Sequence, residues 1–555
     1  VGSDDGITDP DDLALLAATG AGVLAVAAAG NDGPTPETVL SPAVAPWTLA
    51  VGAATRGGDV FQTALAVTRP DDLAGRITVV EAGFTPSLGD TGAVTAALVR
   101  ADDGVAASFD DGTTGSADDA CEALANSSAV AGKVVLVARG GCTFTDKIAN
   151  AEDAGAEAVV VYNSSGAPLI MVGTRGAVAI PAVMVSRADG DRLAAALDAG
   201  DAVEVTLERG LVRTVRDTGN RLEQLSARGP NFWVPDVLKP DVVAPGVNIL
   251  GAHTPDSANN QRGERFQYLS GTSMAVPHVA GVAALLKQAH PDWSPAALHS
   301  ALVTTARPDV IRTDGNLANP FDVGGGYIRP NLAVKPGLVY DRSVDEYDAF
   351  LCGAGEPRAG IDCDALAAAG LPLEAADLNL PSIALADLVA ERTVTRRVTN
   401  VGAAASFAAS VEAPPGVTVT VEPPLLNLGP GETGSFDVRI TATDAPLDAW
   451  QFGTLTWTGG DATVRAPLAV QARPFAAEAE LAGDGADGSG TVAARAGYTG
   501  PYQVVLSGFD LAGQGQAPAV QAQLRGAFVR DEVLTETGYA FATPGSSVAA
   551  DVRRF

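Results

Sequence analysis

Positively charged side chains are scarce in this sequence. Lysine and arginine together number 36 against 66 aspartates and glutamates, so the 555 residues carry a net charge of −30. Such a chain repels the phosphates of nucleic acids and the headgroups of anionic lipids. This charge balance argues against nucleic acid or an anionic membrane surface as a partner.

Long hydrophobic runs are missing as well. No stretch of 18 or more apolar residues occurs, so no membrane-spanning helix is expected. The chain is long enough for three or four domains, each with a core of its own. The composition is consistent with a secreted, extracellular protein.

Cysteine is limited to four residues, and none of them forms the Cys-x-x-Cys spacing that is typical of zinc sites. We expect neither a bound metal ion nor an organic cofactor. Four cysteines permit three connectivities, and pairing Cys121 with Cys142 and Cys352 with Cys363 keeps each loop within one domain. In an extracellular protein both pairs would be oxidised. The alternative is four free, buried thiols.

The segment from Gly271 to Gly281 predicts a helix with Ser273 at its N-terminus. Apolar residues fall on nearly every face of this segment, so the helix is expected to be buried. Pro277 falls in the first turn, where a missing N–H costs little. Ser273 would then lie beside unpaired N–H groups and the positive end of the helix dipole, which stabilise an oxyanion. The alternative is that Ser273 is an ordinary N-cap.

Three further segments accompany this helix. Gly22 to Pro34 predicts a buried strand that ends in a turn with Asn31 at its tip, and Leu238 to Leu250 is a second apolar segment punctuated by Pro and Gly. Ser-Ala-Arg-Gly-Pro-Asn occupies positions 226–231. In order and separation these motifs resemble those of the subtilisin-like serine proteases (subtilases), above all the large bacterial and plant type.

The resemblance implies acyl transfer on a peptide bond. The Ser273 hydroxyl would attack the peptide carbonyl, and the Asn31 side-chain amide and the Ser273 backbone N–H would hold the resulting oxyanion. An amide suits that role because it donates a hydrogen bond without carrying a titratable charge. The alternative for Asn31 is a turn residue that tolerates unusual backbone angles.

The resemblance also implies a substrate-binding region made of small residues. Val1-Gly2-Ser3 resembles the end of the family's substrate-binding strand, and small side chains line the expected specificity pocket. The residues assigned to substrate binding are Gly2, Ala28, Ala29, Gly30, Ser41 and Pro42.

A base and an orienting acid for Ser273 cannot be identified in the sequence. The family carries both upstream of the Asn31 strand, and only four histidines occur here, His253, His278, His290 and His299. His278 lies about 140° around the helix from Ser273, so it cannot be the base. We expect His290 and His299 to be surface or capping residues. The sequence is therefore interpreted as an N-terminally truncated fragment, without turnover on its own.

An insertion from 61 to 214 divides the protease region, which is predicted at 1–60 and 215–345. Within it, strands near 134, 158 and 182 alternate with helices at 146–155 and 188–199, a small α/β module. This module, at about 95–210, resembles the protease-associated domain of large subtilases. Gating of substrate access and self-association through this domain are the roles that the resemblance implies.

The C-terminal part of the chain has the period-two alternation of an all-β region. Strands are predicted at 393–402, 416–423, 436–440 and 453–458, separated by Pro and Gly turns, which indicates a β-sandwich. After a cysteine-containing linker at 346–375, residues 376–472 resemble the fibronectin type III-like domain that follows the protease domain in large subtilases. Residues 473–555 are expected to form a further β-rich domain, possessing strands near 503–506 and 519–524.

Together these observations predict an α/β catalytic domain, with a parallel sheet flanked by helices, that carries an inserted α/β module and a C-terminal β-sandwich. The predicted function is a secreted serine endopeptidase acting on polypeptides through Ser273 and Asn31. The alternative is a non-catalytic surface or adhesion protein on a degenerate subtilase scaffold. Asp-Ser/Thr-Gly and His-Gly-Thr motifs upstream of Val1 would favour the enzyme.

Overall fold

The computed structural model describes residues 6–106, 115–254 and 265–477, and after these 480–482, 489–497, 500–506, 509–511, 522–528, 533–539 and 548–551. The chain divides into two compact units. The first unit contains the chain up to Arg56, residues 220–247 and residues from 270 onward, and the second contains residues 57–219 and 248–269.

The helices and strands are numbered along the chain. The helices are α1 (Pro10–Gly20), α2 (Leu88–Thr91), α3 (Ser127–Val130), α4 (Phe144–Asp153), α5 (Arg187–Asp198), α6 (Thr272–Ala289), α7 (Pro295–Thr304), α8 (Pro320–Val323), α9 (Pro330–Ala333), α10 (Val344–Gly353) and α11 (Cys363–Ala368). The strands are β1 (Ala25–Ala28), β2 (Thr48–Ala54), β3 (Gly58–Arg69), β4 (Gly75–Thr78), β5 (Val80–Glu81), β6 (Val94–Arg100), β7 (Val134–Ala138), β8 (Ala158–Tyr162), β9 (Ala182–Val185), β10 (Glu204–Leu207), β11 (Val212–Asp217), β12 (Val242–Pro245), β13 (Ile249–Ala252), β14 (Phe266–Leu269), β15 (Leu338–Val339), β16 (Ile383–Leu388), β17 (Glu391–Asn400), β18 (Ala405–Glu412), β19 (Val417–Glu422), β20 (Leu425–Leu428), β21 (Thr433–Ala442), β22 (Trp450–Gly459), β23 (Ala462–Ala472), β24 (Phe475–Ala477), β25 (Glu480–Ala482), β26 (Ser489–Ala496), β27 (Gly500–Leu506), β28 (Phe509–Leu511), β29 (Ala522–Phe528), β30 (Val533–Tyr539) and β31 (Val548–Asp551).

A parallel sheet of three strands, in the order β1-β2-β12, lies at the centre of the protease region of the first unit. All seven residues of β2 are buried, which agrees with a central parallel strand covered on both faces. Helices α6 and α7 contribute to the apolar cluster on this sheet. The predicted parallel sheet with flanking helices is confirmed. Among the described residues β1 pairs only with β2, so its other edge is open.

Helix α6 differs from its prediction. It buries one face, formed by Thr272, Ala275, Val279, Ala283 and Leu286, against the sheet. The opposite face is exposed, and Leu285 is 65% exposed there. The prediction of a helix buried on every face is therefore wrong for the chain described here. The reason is that no described element of the first unit covers that face, although its residues are apolar.

The second unit is an α/β module built on a nine-stranded sheet. Its strand order is β11-β3-β10-β6-β7-β8-β9-β5, with β4 paired to β3, and β6 to β9 run parallel. Helix α5 packs on one apolar face of the sheet and α4 on the other. Strands β7, β8 and β9 and helices α4 and α5 occupy the positions that the sequence predicts. The hairpin β13–β14 also belongs to this unit.

Two sheets of a β-sandwich follow the protease region. The first has the order β15-β17-β21-β19 and the second the order β16-β23-β22-β18-β20. Their inner faces share one apolar core, which includes Phe407, Phe436 and Trp457. Alternation of buried and exposed residues along β17 and β21 explains the period-two pattern of the sequence. The predicted β-sandwich is confirmed.

Strands β24 to β31 form further small antiparallel sheets. The strand predicted at 503–506 lies within β27. Of the strand predicted at 519–524, residues 522–524 lie in β29, and residues 519–521 lie outside the described residues. None of the helices in the described part of the chain is long and apolar enough to span a bilayer.

Candidate active site

The N-terminus of α6 places Ser273 at the surface of the first unit. Ser273 is the second helical residue and is exposed, while Thr272 before it is buried. Gly271, the N-cap, has a φ of 154° and donates its N–H to the Gly246 carbonyl (2.8 Å), which joins the helix start to the end of β12. A Cβ at Gly271 would lie 3.4 Å from the Asn31 side chain. Glycine therefore allows the Asn31 amide to approach the helix closely.

The side chain of Asn31 is fixed against this helix start. Its Oδ1 accepts hydrogen bonds from the Thr272 backbone N–H (2.9 Å) and from the Thr272 hydroxyl (3.0 Å). Because a backbone N–H can only donate, the atom that faces it must be the amide oxygen. The Nδ2 group is then left as a donor at the start of α6, next to Thr272, which Ser273 follows in the chain. The role of Thr272 in binding the Asn31 side chain was not predicted. The signal for it in the sequence was a hydroxyl residue directly before the serine.

The loop from Ser226 to Asn231 holds the residues after β1 in place. The Ala227 N–H donates to the Gly30 carbonyl (3.0 Å), and the Ser226 hydroxyl accepts from the Ala53 N–H (3.0 Å). Gly30 has a φ of 116°, and a Cβ there would lie 3.3 Å from the Ala227 side chain. The segment at 226–231 is distant in sequence from the Asn31 turn, and this contact shows how it supports that turn.

The predicted substrate-binding residues have different environments. Ala28 and Gly30 are half-buried and Ala29 is buried, and Ala29 donates its N–H to Val51 in β2 (3.0 Å). Pro42 is half-buried and follows a cis peptide bond. Gly2 lies outside the described residues. Their role in substrate binding stays a prediction.

The hydroxyl of Ser41 is engaged inside the protein. It donates to Asp12 Oδ2 (2.7 Å), and both residues are buried. Asp12 also accepts the Trp47 indole N–H at its backbone carbonyl (2.8 Å), while its Oδ1 has no hydrogen-bond partner among the described residues. Ser41 thus supports the adjoining loop through Asp12, and its hydroxyl is not available to a substrate.

Burial raises the pKa of Asp12 to about 6, against the opposing hydrogen bond from Ser41. A folded-state pKa above the unfolded value means that the neutral acid stabilises the fold, and that this stability is lost as the pH rises through 6. Asp12→Asn should therefore remove about 3 kcal/mol of pH-dependent stability between pH 4 and 7. Urea unfolding across this range measures the slope. An unchanged slope in Asp12→Asn would contradict the prediction.

The histidines of the first unit do not contact Ser273. His278 Nδ1 lies 2.8 Å from the Met274 carbonyl, within its own helix. His290 is the C-cap of α6, stacks on Trp293 and contacts the Val334 carbonyl through Nε2 (2.8 Å). Within the described residues no side chain hydrogen-bonds the Ser273 hydroxyl. The geometry brings together the predicted nucleophile and the predicted oxyanion donor without a base.

His299 corrects a prediction. It lies in the middle of α7, is 1% exposed, and is neither a surface nor a capping residue. Its Nδ1 accepts from the Arg342 guanidinium (3.0 Å), which can only donate, so the ring proton is on Nε2 in the neutral form. Nε2 lies 3.0 Å from Asp241 Oδ1. Burial lowers the pKa of His299, against the attraction of Asp241.

Asp241 is the centre of a buried charge network that was not predicted from the sequence. Its Oδ2 accepts from Lys239 Nζ (2.7 Å) and from the Ala50 N–H (2.7 Å), and Lys239 also donates to the Thr48 carbonyl (2.8 Å). Burial alone would raise the pKa of Asp241, but Lys239 and His299 outweigh it and hold the pKa below its usual range. The signal in the sequence was a Lys-Pro-Asp step within an apolar segment, where charged residues are buried only with partners.

Two groups of side chains in the second unit have ligand atoms close enough for a metal ion. One contains Asp119 with Cys121 and Cys142, and the other Asp103, Asp119 and Glu122. The two cysteines form a disulfide, and the carboxylates of Asp103 and Asp119 already accept backbone N–H groups. Neither group supports a metal assignment. The two predicted disulfides, Cys121–Cys142 and Cys352–Cys363, are confirmed.

Known proteins that resemble this chain identify its family. Residues 2–355 match the Subtilase family and residues 377–470 a fibronectin type-III domain. The chain is 34% identical over 502 residues to the subtilisin-like protease Glyma18g48580 of Glycine max, covering 84% of this chain and 61% of that protein. It is 35% identical over 489 residues to the subtilisin-like protease SBT3.9 of Arabidopsis thaliana, covering 84% and 59%.

The chain therefore spans about three fifths of the length of the curated relatives that it matches. Among solved structures, the psychrophilic subtilisin-like protease Apa1 from Pseudoalteromonas sp. AS-11 is 21% identical, with 60% of this chain and 68% of that chain covered and a TM-score of 0.29. The family match extends over most of the 555 residues and includes both Asn31 and Ser273. On this basis the chain belongs to the subtilase family, with a fibronectin type III domain after the protease region.

Proposed function

We propose that this chain is the nucleophile-bearing part of a serine endopeptidase that hydrolyses peptide bonds through an acyl-enzyme on Ser273. The observation that carries the proposal is the fixed Asn31 amide. Thr272 binds its oxygen through two donors, so the Nδ2 group is held beside an exposed serine at a helix N-terminus. A plain N-cap serine would not require this second, distant side chain.

The chemistry follows from these positions. Attack of the Ser273 hydroxyl on a peptide carbonyl forms a tetrahedral oxyanion, which the Asn31 Nδ2 group and the Ser273 N–H would stabilise. The Ser273 N–H is one of the first N–H groups of α6 and has no intrahelical acceptor. The positive end of the helix dipole adds to that stabilisation. Because these donors are fixed before reaction, they need little reorganisation when the charge develops.

We place the base and its orienting carboxylate in polypeptide outside these 555 residues. Two observations support this assignment. The outer face of α6 is apolar yet exposed at Leu285, and the outer edge of β1 has no strand partner among the described residues. A further strand paired with β1 would close the open edge of the sheet, and a further helix against α6 would cover its exposed apolar face. These elements would also bring new side chains next to Ser273. The relatives' greater length is consistent with such a segment.

Labelling with a fluorophosphonate tests this function. A longer form of the protein that includes the segment upstream of Val1 should be labelled at Ser273 alone, because a serine reacts near neutral pH only with an adjacent base and oxyanion donors. Residues 1–555 alone should remain unlabelled, and adding the upstream segment as a separate polypeptide should restore labelling. An unlabelled long form that is folded would favour the non-catalytic surface protein instead.

Asn31→Ala should lower kcat of the long form by about 10²–10³ with little change in KM, a magnitude taken from loss of the equivalent donor in subtilisin itself. The reason is that the amide hydrogen-bonds the oxyanion only once it has formed. Asp32→Ala, the exposed next residue of the same turn, is the matched control and should retain activity. A change confined to KM would remove Asn31 from the oxyanion site and return it to a turn residue.

The accessory regions and the location belong to the same proposal. We propose that the enzyme acts outside the cell, where disulfides such as these two form. The second unit, with helices on both faces of its sheet, is proposed as a protease-associated domain that gates substrate access or mediates self-association. Sedimentation of the chain with and without residues 57–219 would test the association.

A further inference from the structure

Lys147 is a completely buried lysine that the proposed function leaves unexplained. It lies on α4 in the second unit with no exposed side-chain surface. Its Nζ donates to the Asp119 carbonyl (2.6 Å), lies 3.8 Å from the Asp119 carboxylate and contacts Cys121 Sγ at 3.2 Å. Burying an ammonium group is costly unless its surroundings use the charge. Burial lowers the pKa of Lys147, and the Asp119 carboxylate opposes that effect. The same Nζ is held against one sulfur of the Cys121–Cys142 disulfide.

The second sulfur also has an electropositive neighbour. Cys142 directly precedes Thr143, the N-cap of the ten-residue helix α4. The first N–H groups of a helix and its dipole favour a thiolate at that end. Both cysteines are half-buried, so a small thiol can reach the bond. Two independent features thus favour the anionic products of reduction at this disulfide.

We propose that Cys121–Cys142 is a reversible redox switch, in which Lys147 stabilises the Cys121 thiolate that reduction releases. A dithiol reductant supplies two electrons. One of its thiolates attacks Cys142 Sγ, the S–S bond breaks, and the electron pair leaves on Cys121 beside Lys147. The reductant's second thiolate then resolves the mixed disulfide at Cys142 and departs as a disulfide. Of its two protons, one ends on the Cys142 thiol and the other goes to solvent.

Carboxylates near the sulfurs oppose a thiolate and must be weighed against Lys147. Asp119 lies within 4.8 Å of both sulfurs, and Asp103 and Glu122 lie next to it. The Asp119 carboxylate accepts the backbone N–H groups of Ser116 and Cys121, which spreads its charge. Lys147 is the cation in direct contact with sulfur. The carboxylates repel the thiolate whether or not Lys147 is present, so removing Lys147 should make the thiolate less favourable.

The segment around Cys121 remains anchored when the disulfide opens. The Asp118 carboxylate accepts from the Tyr162 hydroxyl (2.6 Å) and from Arg100 Nε (2.9 Å). The Asn150 amide donates to the Ala120 carbonyl (2.9 Å), and Lys147 holds the Asp119 carbonyl. Reduction therefore exposes two thiols without releasing the loop that carries them. A switch requires this property, because a bond whose loss unfolds the module would not close again.

The chain contains its own control disulfide. Cys352 and Cys363 form the second bond, and within the described residues no cationic side chain contacts either sulfur. Cys363 is the first residue of the six-residue helix α11, but it lies between Asp362 and Asp364. The negative charges of these two carboxylates raise the pKa of a thiol and oppose the effect of the helix dipole. The Cys352–Cys363 disulfide should therefore need a more reducing environment than Cys121–Cys142 does.

A redox titration of the full 555-residue chain tests the proposal. The protein is equilibrated in reduced and oxidised dithiothreitol at varied ratios, alkylated and analysed by peptide mass spectrometry. Cys121–Cys142 should be half-reduced at a ratio at least about tenfold less reducing than Cys352–Cys363. Lys147→Met should shift the first bond by about tenfold toward harder reduction and leave the second unchanged. Lys133→Met, a half-buried lysine of the same unit that contacts neither sulfur, should shift neither.

A second measurement does not depend on a folded variant. In wild-type protein with only Cys121–Cys142 reduced, the rate of iodoacetamide alkylation at Cys121 should reach half its maximum below the pH at which an ordinary cysteine does. Lys147→Arg, which keeps the charge, should preserve that profile if it folds. Equal reduction of both disulfides, or an ordinary pH profile at Cys121 in the wild type, would overturn the proposal.

Discussion

Replacing Ser273 with alanine is expected to lower kcat of the complete enzyme by about 10⁶-fold, the loss found for the nucleophile of subtilisin, a member of this family. Without the hydroxyl no acyl-enzyme can form, and the Asn31 amide and the α6 N-terminus can then assist only direct attack by water. Hydrolysis of a chromogenic peptide by the form that carries the base measures the effect. A loss of less than about tenfold would show that Ser273 is not the nucleophile.

His278→Ala is the matched control for this substitution. His278 lies on the same helix five residues further on, and its Nδ1 contacts the carbonyl of Met274 within that helix. The substitution should therefore leave kcat within about twofold in folded protein and cost a little stability, since it removes a half-buried side chain and its contact with the Met274 carbonyl. Loss of fluorophosphonate labelling in a folded His278→Ala protein would require a new assignment of the base.

Lys239→Met is expected to destabilise the first unit by about 3–5 kcal/mol, because it leaves the Asp241 carboxylate buried without its closest cation. Lys239 is 1% exposed at its side chain and donates to both Asp241 and the Thr48 carbonyl. All five tryptophans of the chain lie in the first unit, so urea unfolding followed by tryptophan fluorescence reports on this unit. Lys335→Met, at an exposed position, should change the free energy of unfolding by less than about 0.5 kcal/mol.

The pH dependence gives a second test of this network. Because Lys239 and His299 hold the pKa of Asp241 below its unfolded value, the ionised carboxylate contributes stability at neutral pH, and this contribution is lost as the pH falls toward the folded pKa. Lys239→Met should therefore flatten the acid limb of the stability curve. A Lys239→Met/Asp241→Leu double variant should recover most of the lost stability, because it removes the uncompensated charge. If the single and double variants were equally unstable, lost packing would be the cause instead.

The candidate nucleophile and oxyanion donor were predicted from the sequence because their motifs resemble those of the subtilases. Without this resemblance, a serine at the start of an apolar run and an asparagine at the end of an apolar strand also fit an N-cap and a turn residue. The disulfides were predictable for a different reason, since each closes a loop within one domain. The two hydrogen bonds between Asn31 and Thr272, in contrast, form only in the folded protein, and no local sequence pattern specifies them.

The errors share a physical cause as well. His299 looked like a surface residue because its helix begins at a Ser-Pro cap, yet α7 is buried along its whole length by the sheet and by the segment that carries Arg342. Helix α6 looked buried because its apolar residues surround it, yet a face is buried only where another element lies on it. Burial depends on neighbours far away in the chain, and composition alone does not identify them.

The sequence by itself determined the strands, the helix that carries Ser273, the turn that carries Asn31, the β-sandwich and the disulfide pairs, because backbone periodicity and turn chemistry act over short distances. Only the tertiary structure decided which polar groups meet: the Asn31 oxygen with Thr272, Asp241 with Lys239 and His299, and Lys147 with Cys121. These contacts join residues up to 241 positions apart. A buried charge or a fixed donor acquires its function from its partners, and packing brings those partners together.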